Sequence, residues 1–163
     1  MLKRLLATLL ALLLLICSWG LGEALVDGDI AVTDALLVEY GYDYMLAEEV
    51  ALYLHAFEEL PPNYITKSQA RDWDLYYDIG DYGTEGWGYC IGGDTFGNRE
   101  GLLPEARGRN YYECDVNYDG SGRGPERLVL SNDGLIYYTA NHYENYELLY
   151  AGWYYEDGWY AWD

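Results

Sequence analysis

Basic residues are scarce in this 163-residue chain: nine Lys and Arg stand against 28 Asp and Glu, a net charge of −19. Phosphate neutralisation supplies most non-specific affinity for nucleic acid, so this balance alone argues against a general nucleic-acid binder. Phenylalanine is nearly absent, with two residues against twenty tyrosines and six tryptophans. Most rings therefore carry a polar tip suited to amphipathic surfaces. Only four prolines occur, and with no Gly-X-Y period and no heptad run the collagen-like, coiled-coil and low-complexity classes are excluded. Hydrophobic residues still make up 51% of the chain and charged ones 23%. That is enough for a buried core and argues against wholesale disorder. The length suits one domain plus processing segments.

The long apolar run, Leu5 to Cys17, follows a basic Met1-Leu2-Lys3-Arg4 start. It fits a secretory h-region and falls short of the ~20 residues a spanning helix needs. Gly22-Glu23-Ala24 places small residues where a signal peptidase reads them, so cleavage is expected after Ala24, with a retained anchor as the alternative. A lipoprotein is disfavoured because Ile16 is not small. Losing Lys3, Arg4 and Glu23 leaves seven basic against 27 acidic residues, a charge of −20. Of the three cysteines, Cys17 would leave with the signal. Cys90 and Cys114 then form a candidate disulfide in an oxidising compartment. Each lies in a predicted strand, and a bond needs both side chains on one face. Gly92-Gly93, a candidate bulge between them, leaves that parity open.

Residues 25–42 are acidic without a strong pattern and read as a leader, propeptide or linker. From Tyr44 to Leu60, Leu46, Val50, Tyr53, Leu54 and Phe57 recur at helical spacing. Pro61-Pro62 ends that helix, and Pro62-Asn63-Tyr64-Ile65 is extended. Thr66 as N-cap with Gln69 three residues on makes a capping box for a second helix over roughly 67–74. Residues 77–88 are irregular. From 89 onward the period becomes that of strands: Tyr89–Phe96, Arg109–Tyr118, Glu126–Ser131, Leu135–Ala140 and Tyr143–Tyr150. Ser131-Asn132-Asp133-Gly134 signals a tight hairpin. The expected class is α+β, with two to three N-terminal helices packed on a five-stranded twisted antiparallel sheet whose other face is open to a ligand. The domains expected are a signal peptide (1–24), the acidic leader (25–42), the main domain (43–150) and an aromatic C-terminal extension (151–163). That extension, Trp153-Tyr154-Tyr155-Glu156-Asp157-Gly158-Trp159-Tyr160, reads as an extra hairpin.

Leu60-Pro61-Pro62-Asn63-Tyr64-Ile65-Thr66-Lys67-Ser68, then Ile91-Gly92-Gly93-Asp94-Thr95-Phe96-Gly97-Asn98-Arg99-Glu100-Gly101, resemble blocks of the microbial guanyl-specific ribonucleases, the barnase-like family. The resemblance resumes at Glu113, Asp115, Asn117-Tyr118, Gly120, Arg123, Arg127, Leu135-Ile136-Tyr137, Thr139 and His142-Tyr143, in the family's order. It covers about two thirds of the chain and implies the microbial ribonuclease fold, with no cofactor and no metal.

The chemistry implied is attack of the RNA 2′-hydroxyl on phosphorus, giving a 2′,3′-cyclic phosphate that water then opens. This needs a base, an acid and cations around the phosphorane. Glu113 matches the family's base, His142 its acid, and Lys67, Arg123 and Arg127 its phosphate-binding cations. Strand alternation independently puts Tyr111, Glu113, Asp115 and Asn117 on one face. Asp115 resembles the carboxylate that buffers the arginines, and Asp94 falls in a matching block as a supporting residue. Guanine selection resembles the loop Phe96-Gly97-Asn98-Arg99-Glu100. There a carboxylate at Glu100 accepts from N1–H and N2–H₂, and backbone amides around Asn98 and Arg99 donate to O6. Gly97 and Asn98 are residue types that tolerate positive φ, and Tyr143 is placed to stack on the base.

Three of the seven basic residues beyond the signal thus fall at phosphate positions, so local positive potential coexists with an anionic whole. Lys67 opposes the dipole at its helix N-terminus, which favours a functional reason for its charge. Arg109 is a structural partner for Asp133, Arg71 and Arg107 have no assigned role, and His55 reads as a partly exposed helix residue. Gly122 and Gly134 stand where aromatics are common in the family and suggest looser packing. Single-stranded RNA is the implied partner of a secreted, monomeric enzyme. A barstar-like intracellular inhibitor is the implied protector, whose approach so acidic a surface would slow. The alternative from another class is a secreted binding module on the same fold, held to cell wall by its aromatic tail.

Overall fold

The computed structural model describes residues 25–33 and 36–153. The segment expected to be a signal peptide, with its expected cleavage position, and the tail beyond Trp153 lie outside the described residues. Two helices and nine strands fall within them. The segment read as a patternless leader holds three short strands, β1 (Leu25–Asp27), β2 (Ile30–Val32) and β3 (Leu37–Glu39), paired as an antiparallel meander.

Helix α1 (Ala47–Phe57) explains why that meander is held. Every residue from Val50 to His55 is buried, which a helix facing one core would not do. Val50, Ala51 and Leu54 pack with Cys114, Leu128 and Ile136 of the main sheet and with Val116 beside it, whereas Leu52 and Tyr53 pack with Ala31 and Val38 of the meander. Tyrosine tips fasten the layers: the Gly41 N–H donates to the Tyr53 hydroxyl (3.0 Å) and the Glu39 N–H to that of Tyr44 (2.8 Å). The preference for Tyr over Phe thereby gains a structural use. Leu46, expected on the apolar stripe, is the N-cap and is exposed. Its missing side-chain cap is supplied from afar by Asn117, whose Oδ1 accepts from the Ala47 N–H (2.8 Å).

After Pro61 the chain forms β4 (Tyr64–Ile65), then α2 (Lys67–Asp72). The Thr66–Gln69 capping box is present in both directions. β5 (Cys90–Phe96), β6 (Tyr111–Asp115), β7 (Arg127–Ser131), β8 (Leu135–Thr139) and β9 (Glu147–Ala151) follow. The α+β class stands, but the sheet has six strands, in sequential order, and is mixed. The sixth is β4, parallel to β5 through Tyr64↔Cys90 and Ile65↔Ile91. A two-residue strand shows no period of its own, and only the long-range pairing defines it.

Two further expectations are corrected. Cys90 and Cys114 are free, buried thiols. The register opposes Cys114 to Gly92, leaving Cys90 a diagonal neighbour, and diagonal pairs stand ~7–8 Å apart, beyond disulfide reach. Gly134 marks close packing rather than looseness: a Cβ there would come within 2.6 Å of the Gly152–Trp153 backbone, which fills the space beside the hairpin. At Gly122 a Cβ would press on the Asp81 carboxylate at 3.3 Å.

Candidate active site

The face of the sheet away from α1 gathers the charges. Glu113 and Asp115 lie two residues apart on β6, so strand alternation aims both carboxylates the same way. Lys67, in the first turn of α2, forms an ion pair with Glu113 Oε1. Its position is fixed by its own backbone, since the Lys67 N–H donates to Asp94 Oδ2 (2.9 Å). That bond gives Asp94 a defined supporting part and puts a carboxylate at a helix N-terminus, where the dipole favours it.

Asp115 is 2% exposed and accepts from two guanidinium groups: Arg123 Nε on Oδ2 (2.5 Å) and Arg127 Nε on Oδ1 (2.7 Å). Arg127 also donates to the Gly124 and Glu126 carbonyls (2.7 Å each). Burial works to lower the Arg123 pKa, but the bond to Asp115 and its charge outweigh it and leave the group raised. Arg123 Nη1 also donates to the Tyr76 hydroxyl (3.0 Å). Tyr76, in the turn after α2, went unnoticed in the sequence because nothing local signals a contact 47 residues away.

Tyr143 ties the groups together. Its hydroxyl donates to Glu113 Oε2, its ring lies 5.1 Å from that of Phe96, and the His142 ring is 4.6 Å away. Burial first, then the bond to Glu113, raise its phenol well above the usual range, with Arg127 opposing. His142 and Tyr143 both adopt positive φ, 55° and 78°, an unusual backbone for bulky residues and one that marks functional loops. The turn is pinned by the Tyr143 N–H donating to Thr139 Oγ1 (3.0 Å).

The loop after β5 is shaped by Asn98, whose Nδ2 donates to the Leu103 carbonyl (2.9 Å) while its Oδ1 accepts from the Leu103 N–H (3.1 Å). Positive φ falls on Asn98 (41°) and Gly101 (64°), and not on Gly97. Arg99 and Glu100 are exposed at the tip. Tyr146, which sequence reasoning overlooked, lies near both the loop and β6. Burial, with the Glu100 and Glu113 charges adding, pushes its hydroxyl up to about 12. A cavity of about 420 Å³ borders the loop at Thr95, Phe96, Asn98, Glu105 and Arg109. Neither Glu113 nor His142 lines it.

Lys67, Glu113, Tyr143 and His142 thus form one run of direct contacts and Asp115, Arg123 and Arg127 a second, and the two meet on β6, where Glu113 and Asp115 are two residues apart. The family described as ribonuclease matches residues 48–150, more than half of the chain. The chain belongs to the ribonuclease family. It is 47% identical over 97 residues to the ribonuclease of Heyndrickxia coagulans, a match covering 60% of this chain and 89% of that protein. The ribonuclease of Bacillus intermedius is also 47% identical, over 60% of each chain. Guanyl-specific ribonuclease St of Saccharopolyspora erythraea is 40% identical over 61 residues, 37% of this chain and 60% of that protein. The family match begins after the meander and ends at Tyr150, so the site described here lies wholly inside it.

Proposed function

We propose that this ribonuclease-family chain is a secreted endoribonuclease that cleaves single-stranded RNA after guanosine without a metal ion. The observation that carries the reading is Glu113, whose two oxygens are held by Lys67 and the Tyr143 hydroxyl beside the Asp115-tethered arginines. Glu113 takes the proton of the 2′-hydroxyl as that oxygen attacks phosphorus. His142 protonates the departing 5′-oxygen, and the product is a 2′,3′-cyclic phosphate. In the second step the roles exchange: His142 accepts a proton from water and Glu113 returns one to the 2′-oxygen, leaving a 3′-phosphate. Lys67, Arg123 and Arg127 offset charge on the phosphorane, and Asp115 keeps the arginines from folding away. Guanosine preference is assigned to Glu100 and the Asn98–Arg99 amides, on a loop that Asn98 itself shapes.

Product analysis on GpN and ApN dinucleotides tests all of this together. The expected result is a guanosine 2′,3′-cyclic phosphate that appears before the 3′-phosphate, at a rate unchanged by EDTA. Equal cleavage of ApN would remove the guanosine assignment, and no products at all would leave a binding module on a ribonuclease fold. Secretion rests on the basic start and apolar run at the N-terminus. Sequencing the N-terminus of protein recovered from culture medium tests it, with cleavage expected after Ala24.

A further inference from the structure

Arg123 and Arg127 share one carboxylate but are held in place by different means. Arg127 opens β7 and lies directly opposite Asp115 in the strand register, so the backbone ladder fixes it. Arg123 sits instead in the link between β6 and β7, beside Gly120, Gly122 and Gly124, the first two at φ 91° and 92°. A glycine-rich link constrains a side chain little, so the direction of this guanidinium depends on what its own nitrogens reach. Nε and Nη2 donate to Asp115 (2.5 and 3.3 Å), and Nη1 donates to the Tyr76 hydroxyl (3.0 Å). That leaves one N–H on each terminal nitrogen for an anion.

Tyr76 is itself fixed. Its ring packs against the cluster of Ile65, Ala70 and Ile79, and the Arg71 guanidinium carbon lies over its face, 4.5 Å from the centroid. The turn that carries it is closed by the Leu75 N–H, which donates to the Ala70 carbonyl (2.8 Å). Its neutrality matters as much as its place. Asp115 already gives one negative charge to two guanidinium groups, which leaves the trio one positive charge in excess. A second carboxylate in place of Tyr76 would cancel that excess. A phenol accepts the hydrogen bond, keeps its own proton and adds no charge. Asp74 and Asp78 flank Tyr76 in sequence, yet the ion pair of Arg123 among the described residues is with Asp115.

We infer that Tyr76 is a positioning residue, whose hydroxyl sets the angle at which Arg123 meets the phosphorane. This rests on the ribonuclease reading above and adds to it a residue that acts only through Arg123. Tyr76→Phe removes the hydroxyl and keeps the ring. On a GpN dinucleotide its kcat is expected to fall about tenfold with KM changed by less than about twofold, the pattern of an interaction that counts in the transition state. In an Arg123→Gln background the same change should alter kcat by less than about twofold, because the group it acts through is gone. Tyr77→Phe, at the 89% exposed neighbour, keeps full activity. A second readout needs no substrate. Exchange between the two Nη signals of Arg123 in nitrogen NMR, identified by their loss in Arg123→Gln, is expected to quicken about fivefold in Tyr76→Phe.

An unchanged kcat in Tyr76→Phe, an equal loss with and without Arg123, or a raised KM at constant kcat overturns the inference. Faster exchange in Tyr76→Phe of a protein that cleaves nothing removes the enzymatic reading and supports the hold on Arg123. Cleavage with unchanged exchange removes the positioning role alone.

Discussion

His55 is wholly buried on α1, its Nδ1–H donating to the Gly152 carbonyl (2.9 Å) and its ring stacked 4.3 Å from Tyr150. His142 is exposed on the opposite side of the sheet, in the loop between β8 and β9, at a left-handed backbone angle and against Tyr143. The chain has only these two histidines. Burial drives the His55 pKa down to about 4, a cost the Gly152 bond only partly offsets. The first imidazole is thus a neutral packing group that fastens the chain after β9 to the helix. The second is left open to solvent. Under the proposed function one residue type does two jobs, and the surroundings assign them.

The contrast is sharpest in activity. His142→Ala is expected to lower kcat/KM on a GpN dinucleotide by about 10²–10⁴-fold, as removal of a general acid does, with thermal stability changed by less than about 0.5 kcal/mol. Glu113→Ala should match it in rate. If His55→Ala lost as much activity per folded molecule, the division of labour would be wrong. The ion-paired side of the sheet should be the costliest in stability. Asp115→Asn leaves Arg127, 5% exposed, without its anion, and a loss of about 3–5 kcal/mol is expected in urea unfolding.

His55→Ala opens a cavity and orphans the Gly152 carbonyl, for about 3 kcal/mol. Acid reaches the same group. The folded pKa of His55 lies near 4 and the ordinary value is 6.5, so between these the unfolded state binds the extra proton. Its contribution, on the order of 3 kcal/mol, is complete above about pH 6.5 and lost as pH falls toward 4. A stability profile of His55→Ala flat over that window would assign the loss to this residue, and an unchanged profile would assign it elsewhere. The smallest effect expected is at the cap: Thr66→Ala should cost about 1 kcal/mol and slow cleavage modestly by loosening the turn that carries Lys67.

Local signals in the sequence carried a good part of this. Thr66 and Gln69 announce their capping box because both partners lie within one turn. The hairpin at Ser131–Gly134 is written in its turn residues, with Gly134 at φ 90°. Alternation alone placed Glu113 with Asp115. The misses share one cause, which is distance along the chain. The meander's strands are three residues each and bury Ala31 and Val38 only because α1 offers a second apolar side. The parity of Cys90 and Cys114 turned on the register shift between Gly92 and Asp94. Tyr143 on Glu113 and Tyr76 between two arginines join positions 30 and 47 or more apart.

Composition and order alone determined that the chain carries a carboxylate, an imidazole and three cations at the family's spacings, together with the propensities that make helices first and strands after. Tertiary structure decided what those groups became. It chose which histidine is sealed and which is open, and gave Asp94 the amide of Lys67. It also drew Arg71 to the ring that braces Arg123. The physical reason is that propensity and alternation act over a few residues, whereas desolvation and ion pairing depend on whichever groups the folded chain brings within a few ångströms.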